Sequence, residues 1–154
     1  MDYYSQIKEH LINNEIYKAY KDYSKNKNDL ETYYNVGKLL IEAQGGEQRA
    51  KYGNRLIEEY SKKLLIDMDK KYSITLLKYM RQFYLLIQKG HAVRDQLSIS
   101  HYREVFPIKD YNKIEFYLDL AIKQNLSYRA LHDKIKNKEY ERLDDRFCLI
   151  AKSK

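Results

Sequence analysis

The chain of 154 residues has no tryptophan, one cysteine, one proline and five glycines. Each scarcity excludes something. The lone Cys148 rules out an internal disulfide and a zinc site built from cysteines. So few glycines and prolines encode few sharp turns, which favours long helices over a many-stranded sheet. No stretch approaches the roughly 18 consecutive apolar residues that a membrane helix needs. The opening Met1-Asp2-Tyr3-Tyr4 lacks the apolar core of a signal peptide. No internal repeat occurs at solenoid periods. The length suits one domain, or a domain with a helical arm, and an apolar fraction of 44% is enough for a core. The expectation is a cytoplasmic, all-α protein that does not engage a membrane.

What is present is positive charge, unevenly placed. The formal net charge is +7. Between Lys51 and Arg94 stand ten basic residues (Lys51, Arg55, Lys62, Lys63, Lys70, Lys71, Lys78, Arg81, Lys89 and Arg94) against four acids (Glu58, Glu59, Asp67 and Asp69), so this segment carries +6 of the total. An excess confined to one segment is the pattern of a binding face for nucleic acid, an anionic surface or an acidic protein. A solvated lysine-rich surface is the plainer alternative. The 17 tyrosines could stack on bases. Most of them recur at helical apolar spacing, however, and so are expected in the core with the hydroxyl at its edge.

Apolar periodicity predicts a first helix over 3–23, carried by Tyr4, Ile7, Leu11, Ile12, Ile16, Tyr20 and Tyr23. After a polar break at 24–29, Asn28 or Asp29 is expected to cap a second helix bearing Leu30, Tyr33, Tyr34, Gly37, Leu40 and Ile41. Gly37 in that stripe suggests close helix packing. Gln44-Gly45-Gly46-Glu47 is the clearest turn. A helix over 49–68 should follow, with Leu56, Ile57, Tyr60, Leu64 and Leu65 inward. Ser73 then looks like the N-cap of a helix over 74–88. That helix should bury Leu76, Leu77, Met80, Phe83, Tyr84 and Ile87 and expose Thr75, Lys78, Tyr79, Arg81 and Gln82. Gly90 ends it. Ser98 or Ser100 starts a short helix that stops at Pro107. Asp110 caps a helix over 111–124 with Ile114, Tyr117, Leu118, Ala121 and Ile122 inward, and Ser127 caps one over 128–136. The span between Ile87 and Leu97 leaves room for a small winged hairpin. From Asn137 the chain reads as a charged tail with a late apolar patch at Phe147, Leu149 and Ile150.

The segment from Tyr52 to Ile87 has the spacing of a helix-turn-helix. In such a unit the second helix enters the major groove of duplex DNA. Its outward side chains meet base edges and its basic neighbours meet phosphates. Here Thr75, Lys78, Tyr79, Arg81 and Gln82 form the expected reading face. Lys62, Lys63, Lys70, Lys71, Lys78 and Arg94 are the expected phosphate contacts, with Thr75, Arg81 and Gln82 supplying specificity. An ordinary helical hairpin with a basic outer face is the competing reading.

Several stretches carry a family resemblance. They are Val36-Gly37-Lys38-Leu39-Leu40-Ile41-Glu42, Arg49-Ala50-Lys51-Tyr52-Gly53 and Leu76-Leu77-Lys78-Tyr79-Met80-Arg81-Gln82-Phe83-Tyr84. Further along come Leu97-Ser98-Ile99-Ser100-His101-Tyr102, Phe106-Pro107-Ile108, Glu115-Phe116-Tyr117 and Leu126-Ser127-Tyr128-Arg129-Ala130-Leu131. In order and spacing they resemble the YhcG-like N-terminal domain over roughly residues 30–137. A fainter likeness is to the helices after the helix-turn-helix of ParB-type partition proteins. The resemblance implies an all-helical, winged-helix-like domain that binds DNA and, in full-length relatives, precedes a PD-(D/E)XK nuclease domain. Two departures stand out. No Asp…Glu-x-Lys cluster follows residue 137, so nuclease activity does not carry over, and Ile99 stands where the family often has tryptophan. The organisation expected is an arm over 1–25, the helical domain with its helix-turn-helix over 28–137 and a tail over 138–154.

No catalytic constellation emerges. His10, His91, His101 and His132 are scattered, with no HExxH and no cysteine partner. Glu58-Glu59 and Asp144-Asp145 are adjacent in sequence and so diverge on a helix. Gly45-Gly46 lacks the Gly-Lys-Ser/Thr context of a phosphate loop. The expectation is a non-catalytic DNA-binding protein without cofactor or metal, a regulator or targeting subunit of a mobile element or defence locus. Its expected partners are double-stranded DNA, a second copy of itself, and a nuclease or other protein. The alternative is a protein-interaction module that dimerises through the arm or docks on a nuclease.

Overall fold

A computed structural model describes residues 2–20 and 25–143. The chain is all-α: α1 (Tyr3–Tyr20), α2 (Lys25–Gln44), a 3-10 turn (Glu47–Arg49), α3 (Ala50–Met68), α4 (Ile74–Gln88), α5 (Ile99–Val105), α6 (Tyr111–Lys123) and α7 (Tyr128–Lys136). A helical turn over 139–143 follows. No strand occurs among the described residues, so the span after Ile87 is loop and not a winged hairpin. The helices group into two compact units, the first ending at Asp95 and the second beginning at Gln96.

In the first unit α2 is the central element, packed against α1 on one side and α4 on another. Ile7, Leu11, Val36, Leu40, Ile57, Leu64, Leu77 and Met80 make the core. Full burial of each such side chain is worth about 1.5–3 kcal/mol. Gly37 is where α2 and α4 come closest. A Cβ there would lie 2.1 Å from the Met80 carbonyl oxygen and 2.8 Å from Tyr84 Cβ. Around that contact Tyr33 meets Phe83 edge-on at 6.4 Å and Tyr34 meets Tyr84 at 5.2 Å. The tyrosines thus serve the packing that their spacing predicts.

Several expectations change here. The first helix is not a free arm. Ile7 and Leu11 are fully buried in the core, while Ile12 and Ile16, expected inward, are 40% and 52% exposed. Tyr23 lies outside the described residues. The second helix begins at Lys25, ahead of the expected cap, because Asp29 does other work: its Oδ1 accepts from Asn14 Nδ2 at 3.0 Å and ties α2 to α1. Leu65 is 50% exposed and Ile66 81%, so the apolar face of α3 is narrower than the sequence suggests. On α4, Leu86 joins the buried set.

The second unit packs α5, α6 and α7 together around the fully buried Tyr102, Val105, Tyr117, Leu118 and Leu131. Each helix starts at a predicted residue. Asp110 Oδ1 accepts from the amides of Asn112 and Lys113 at 2.9 and 3.2 Å, and Ser127 Oγ from that of Ala130 at 3.1 Å. At α5, His101 replaces the usual glutamate of a capping box. Its Nδ1 accepts from the Ser98 amide at 3.1 Å and its Nε2 bonds the Leu126 carbonyl at 2.8 Å. Residues just past 137 are not a loose tail: the Tyr140 amide donates to the Tyr117 hydroxyl at 3.1 Å, and Glu141 pairs with Lys113. Phe147, Cys148, Leu149 and Ile150 lie outside the described residues.

Candidate nucleic-acid interface

The basic segment forms α3, the connection 69–73 and α4. On α3 the inward face is Gly53, Ile57, Tyr60 and Leu64. The 3.6-residue period therefore puts Lys51, Arg55, Glu58 and Lys62 on one outward stripe, all exposed. On α4 the opposite of the buried Leu77, Met80 and Phe83 is the line Thr75, Lys78 and Gln82. Thr75 and Gln82 are exposed, and Lys78 and Tyr79 are half-buried. Ser73 fixes the start of α4, its Oγ accepting from the Leu76 amide at 3.0 Å. Ser61 Oγ donates to the Tyr72 carbonyl at 2.6 Å and pins the connection to α3. Sequence spacing thus becomes a fixed helix, turn and capped helix.

The six residues expected at phosphates fall into two groups. Lys62 and Lys71 are exposed and Lys78 half-buried, and none of the three has an ion pair among the described residues. Lys63 pairs with Glu59 at 3.3 Å and lies over the Tyr4 ring at 5.3 Å. Lys70 pairs with Glu15 of α1. Arg94 is half-buried in the loop after α4 and donates to the Ala92 carbonyl at 3.3 Å. Exposed ion pairs are worth about 1 kcal/mol or less, so Lys63 and Lys70 can trade a carboxylate for another anion at small cost.

α1 also anchors this region from behind. Glu15 accepts from the Tyr72 hydroxyl at 3.1 Å, and Asp67 accepts from Tyr4 and lies 3.7 Å from Lys8. Burial, with the neighbouring carboxylates adding to it, pushes both the Tyr4 and the Tyr72 hydroxyl well above the ordinary phenol range. Both stay protonated as donors.

Arg81 is the residue whose surroundings depart most from expectation. It is half-buried, and its fork is already engaged: Nη1 donates to Gln44 Oε1 at 2.9 Å and Nη2 to Asn54 Oδ1 at 2.8 Å. Gln44 is 1% exposed, and its own amide donates to the Gly46 carbonyl at 2.7 Å. Gly53 makes room for this cluster, since a Cβ there would fall 1.9 Å from Gln44 Oε1. Sequence reasoning placed Gln44 in a turn and Gly53 in a family stretch without a role at Arg81, and did not single out Asn54. The one signal was a glycine inside an otherwise regular helical pattern.

Elsewhere, among the described residues, no three His, Cys, Asp or Glu side chains converge as metal ligands. No described helix is long and apolar enough to cross a membrane. His132 bonds Glu104 at 2.7 Å, a surface pair on unlike helices. A cavity of about 340 Å³, bordered by Leu30, Tyr34, Ile87, Val93 and Asp95, shares no residue with the basic face.

Comparison with known proteins gives this arrangement its relatives. Over 58 residues, 37% of this chain, it is 43% identical to the "Putative nuclease YhcG" of Escherichia coli (strain K12), and the match spans 16% of that protein. No solved structure matches the chain. The profile of the DUF1016 N-terminal domain matches residues 7–142, from the first buried isoleucine of α1 into the helical turn over 139–143. The chain therefore belongs to the DUF1016 N-terminal domain family.

Proposed function

We propose that this chain is a non-catalytic protein that binds double-stranded DNA through the outer faces of α3 and α4. In this reading it acts as a regulator or targeting subunit within a mobile element or defence locus. The observation that carries the reading is the outward placement of Lys51, Arg55 and Lys62 on α3 and of Lys71 and Lys78 at α4, with no ion pair on Lys62, Lys71 or Lys78 among the described residues. Cations kept free on adjacent helices suit a polyanion better than they suit solubility alone. Thr75 and Gln82 are the exposed polar side chains of α4 that could meet base edges. The kinship with a protein named as a nuclease supports a nuclease-associated role, in which this chain supplies binding and a partner the chemistry.

The test is equilibrium binding to labelled duplexes over a salt series. Each neutralised phosphate contributes about 0.9 to the slope of log affinity against log salt. Contacts from Lys62, Lys71, Lys78 and Arg94 therefore predict a slope of roughly −4. Joint Lys62→Ala and Lys71→Ala replacement should flatten it by nearly half. Salt-independent binding, or full binding by that double variant, refutes the proposal.

A second reading is a dimerisation or docking module. The exposed Ile12 and Ile16 on α1 favour it. Because α1 also builds the core, the discriminating variant is Ile12→Asp with Ile16→Asp, not removal of the helix. A dimer in solution that this pair dissociates, with the fold intact, supports the second reading.

A further inference from the structure

Arg81 poses a problem of charge that the two amides do not solve. A guanidinium has five N–H donors and a permanent positive charge. Two donors are used, on the neutral oxygens of Gln44 and Asn54. Among the described residues three have no protein acceptor, and no carboxylate pairs with the group. Removing charge from water without a counter-charge is costly, and a partly buried cation with free donors and no carboxylate beside it is open to an anion. Burial alone pulls on the Arg81 titration, downward, with no carboxylate pulling the other way.

The surroundings are built to hold this charge in place. Gln44 is itself fixed by its bond to the Gly46 carbonyl. At Gly53 the backbone of α3 passes the cluster without a side chain, since a Cβ would sit 2.7 Å from Arg81 Nη1. Lys78, three residues earlier on α4, adds a second cation with no ion pair among the described residues.

We infer that the Arg81 guanidinium, clamped between Gln44 and Asn54, is the receptor for a phosphate oxyanion. The planar fork matches tetrahedral oxyanions with paired donors, and the clamp removes the rotamer freedom that a surface arginine loses on binding. This deepens the DNA proposal by giving Arg81 a phosphate in place of a base edge. It rests on that proposal for the source of the phosphate, the nucleic-acid backbone. Free phosphate offers the same chemistry and is separated from it below.

The test uses Asn54→Asp in the full chain. That change places a carboxylate against the guanidinium and supplies from within the charge that an anion would bring. Two titrations are run on wild type and variant: inorganic phosphate by calorimetry at matched ionic strength, and DNA duplexes of two sequences over a salt series. Wild type is expected to bind phosphate saturably and the variant not. The variant's DNA slope should fall by about 0.9, one phosphate contact, equally for both sequences, with its melting temperature unchanged or raised. Arg81→Lys, which keeps the charge and loses the fork, should weaken both titrations and guards against an Asn54→Asp protein that does not fold. Wild-type affinities retained by the variants overturn the inference and leave DNA binding standing, as does a change in the ratio between the two sequences. Phosphate binding without DNA binding keeps the inference, with free phosphate as source, and removes the DNA proposal. A wild type that binds neither overturns both.

Discussion

The two units solve the same problem by different means. In the first, long helices are held by what they bury. α3 runs for 19 residues from Arg49, which makes no side-chain cap, although Asp2 and Ser73 cap α1 and α4. In the second, helices of 7, 13 and 9 residues each begin on a side chain that takes up free backbone amides. Short helices are marginal in water, so the last increments of stability must come from their ends. A long helix draws more of its stability from packing, so a cap counts for proportionally more in a short one. Net charge does not separate the units, at +4 for residues 1–95 and +3 for residues 96–154. Its placement does: in the first unit the surplus is concentrated between Lys51 and Arg94, while in the second Lys113 is paired with Glu141.

That contrast can be broken at its strongest point. Gly37→Ala drives a methyl group against the Met80 carbonyl, a backbone atom that cannot step aside. We expect a loss of about 3 kcal/mol, read by chemical denaturation, with hydrogen exchange weakening first in α2 and α4. A Gly37→Ala protein as stable as wild type would mean that the packing of the first unit is looser than drawn. Next comes His101→Ala, which removes two bonds from the second unit at once. A loss of about 2 kcal/mol is expected, and hydrogen exchange should show the start of α5 and the turn at Leu126 opening together. Ser127→Ala should cost about 1 kcal/mol, and an unchanged midpoint would weaken the claim that caps hold this unit.

The smallest effect concerns pH. The bond to Lys113 holds the Glu141 carboxyl below its ordinary range and lifts the Lys113 ammonium above its own. A lowered carboxylate stabilises the fold fully above its unfolded range and loses that contribution as pH falls through the native value. A raised lysine does so below its unfolded range and loses its contribution as pH rises through the native value. Both are therefore intact near neutrality. Glu141→Gln should cost roughly half a kcal/mol or less there, since the pair is solvent-screened. Its melting temperature should fall less than that of wild type on acidification.

How well the sequence could be read follows the same division. Caps are local and leave marks, so Ser73, Asp110 and Ser127 are legible in the sequence as helix starts, and Ser98 as one of two candidates with Ser100. The family resemblance was also carried by ordered stretches, and the match over residues 7–142 extends it into α1. Long-range uses of a residue leave no such mark. Asp29 has the form of a cap but bonds Asn14, and Ile12 and Ile16 keep helical spacing yet face outward because α1 lies on a single side of α2. Arg81 falls on the outer side of a helical wheel. Its tie to Gln44 crosses 37 positions of chain, and no periodicity encodes it.

The imidazole of His101 has a consequence of another kind. A rigid ring with an acceptor on one edge and a donor on the other works as a gauge block between the Ser98 amide and the Leu126 carbonyl. Because Nδ1 accepts from an amide, the ring proton sits on Nε2, and no nitrogen remains for a metal or a substrate. The Ser-Ile-Ser-His-Tyr run, one of the stretches that make this chain recognisable, is thus masonry. Its most chemically versatile side chain is spent on spacing, so the run is kept for the distance it sets and offers no imidazole to a ligand.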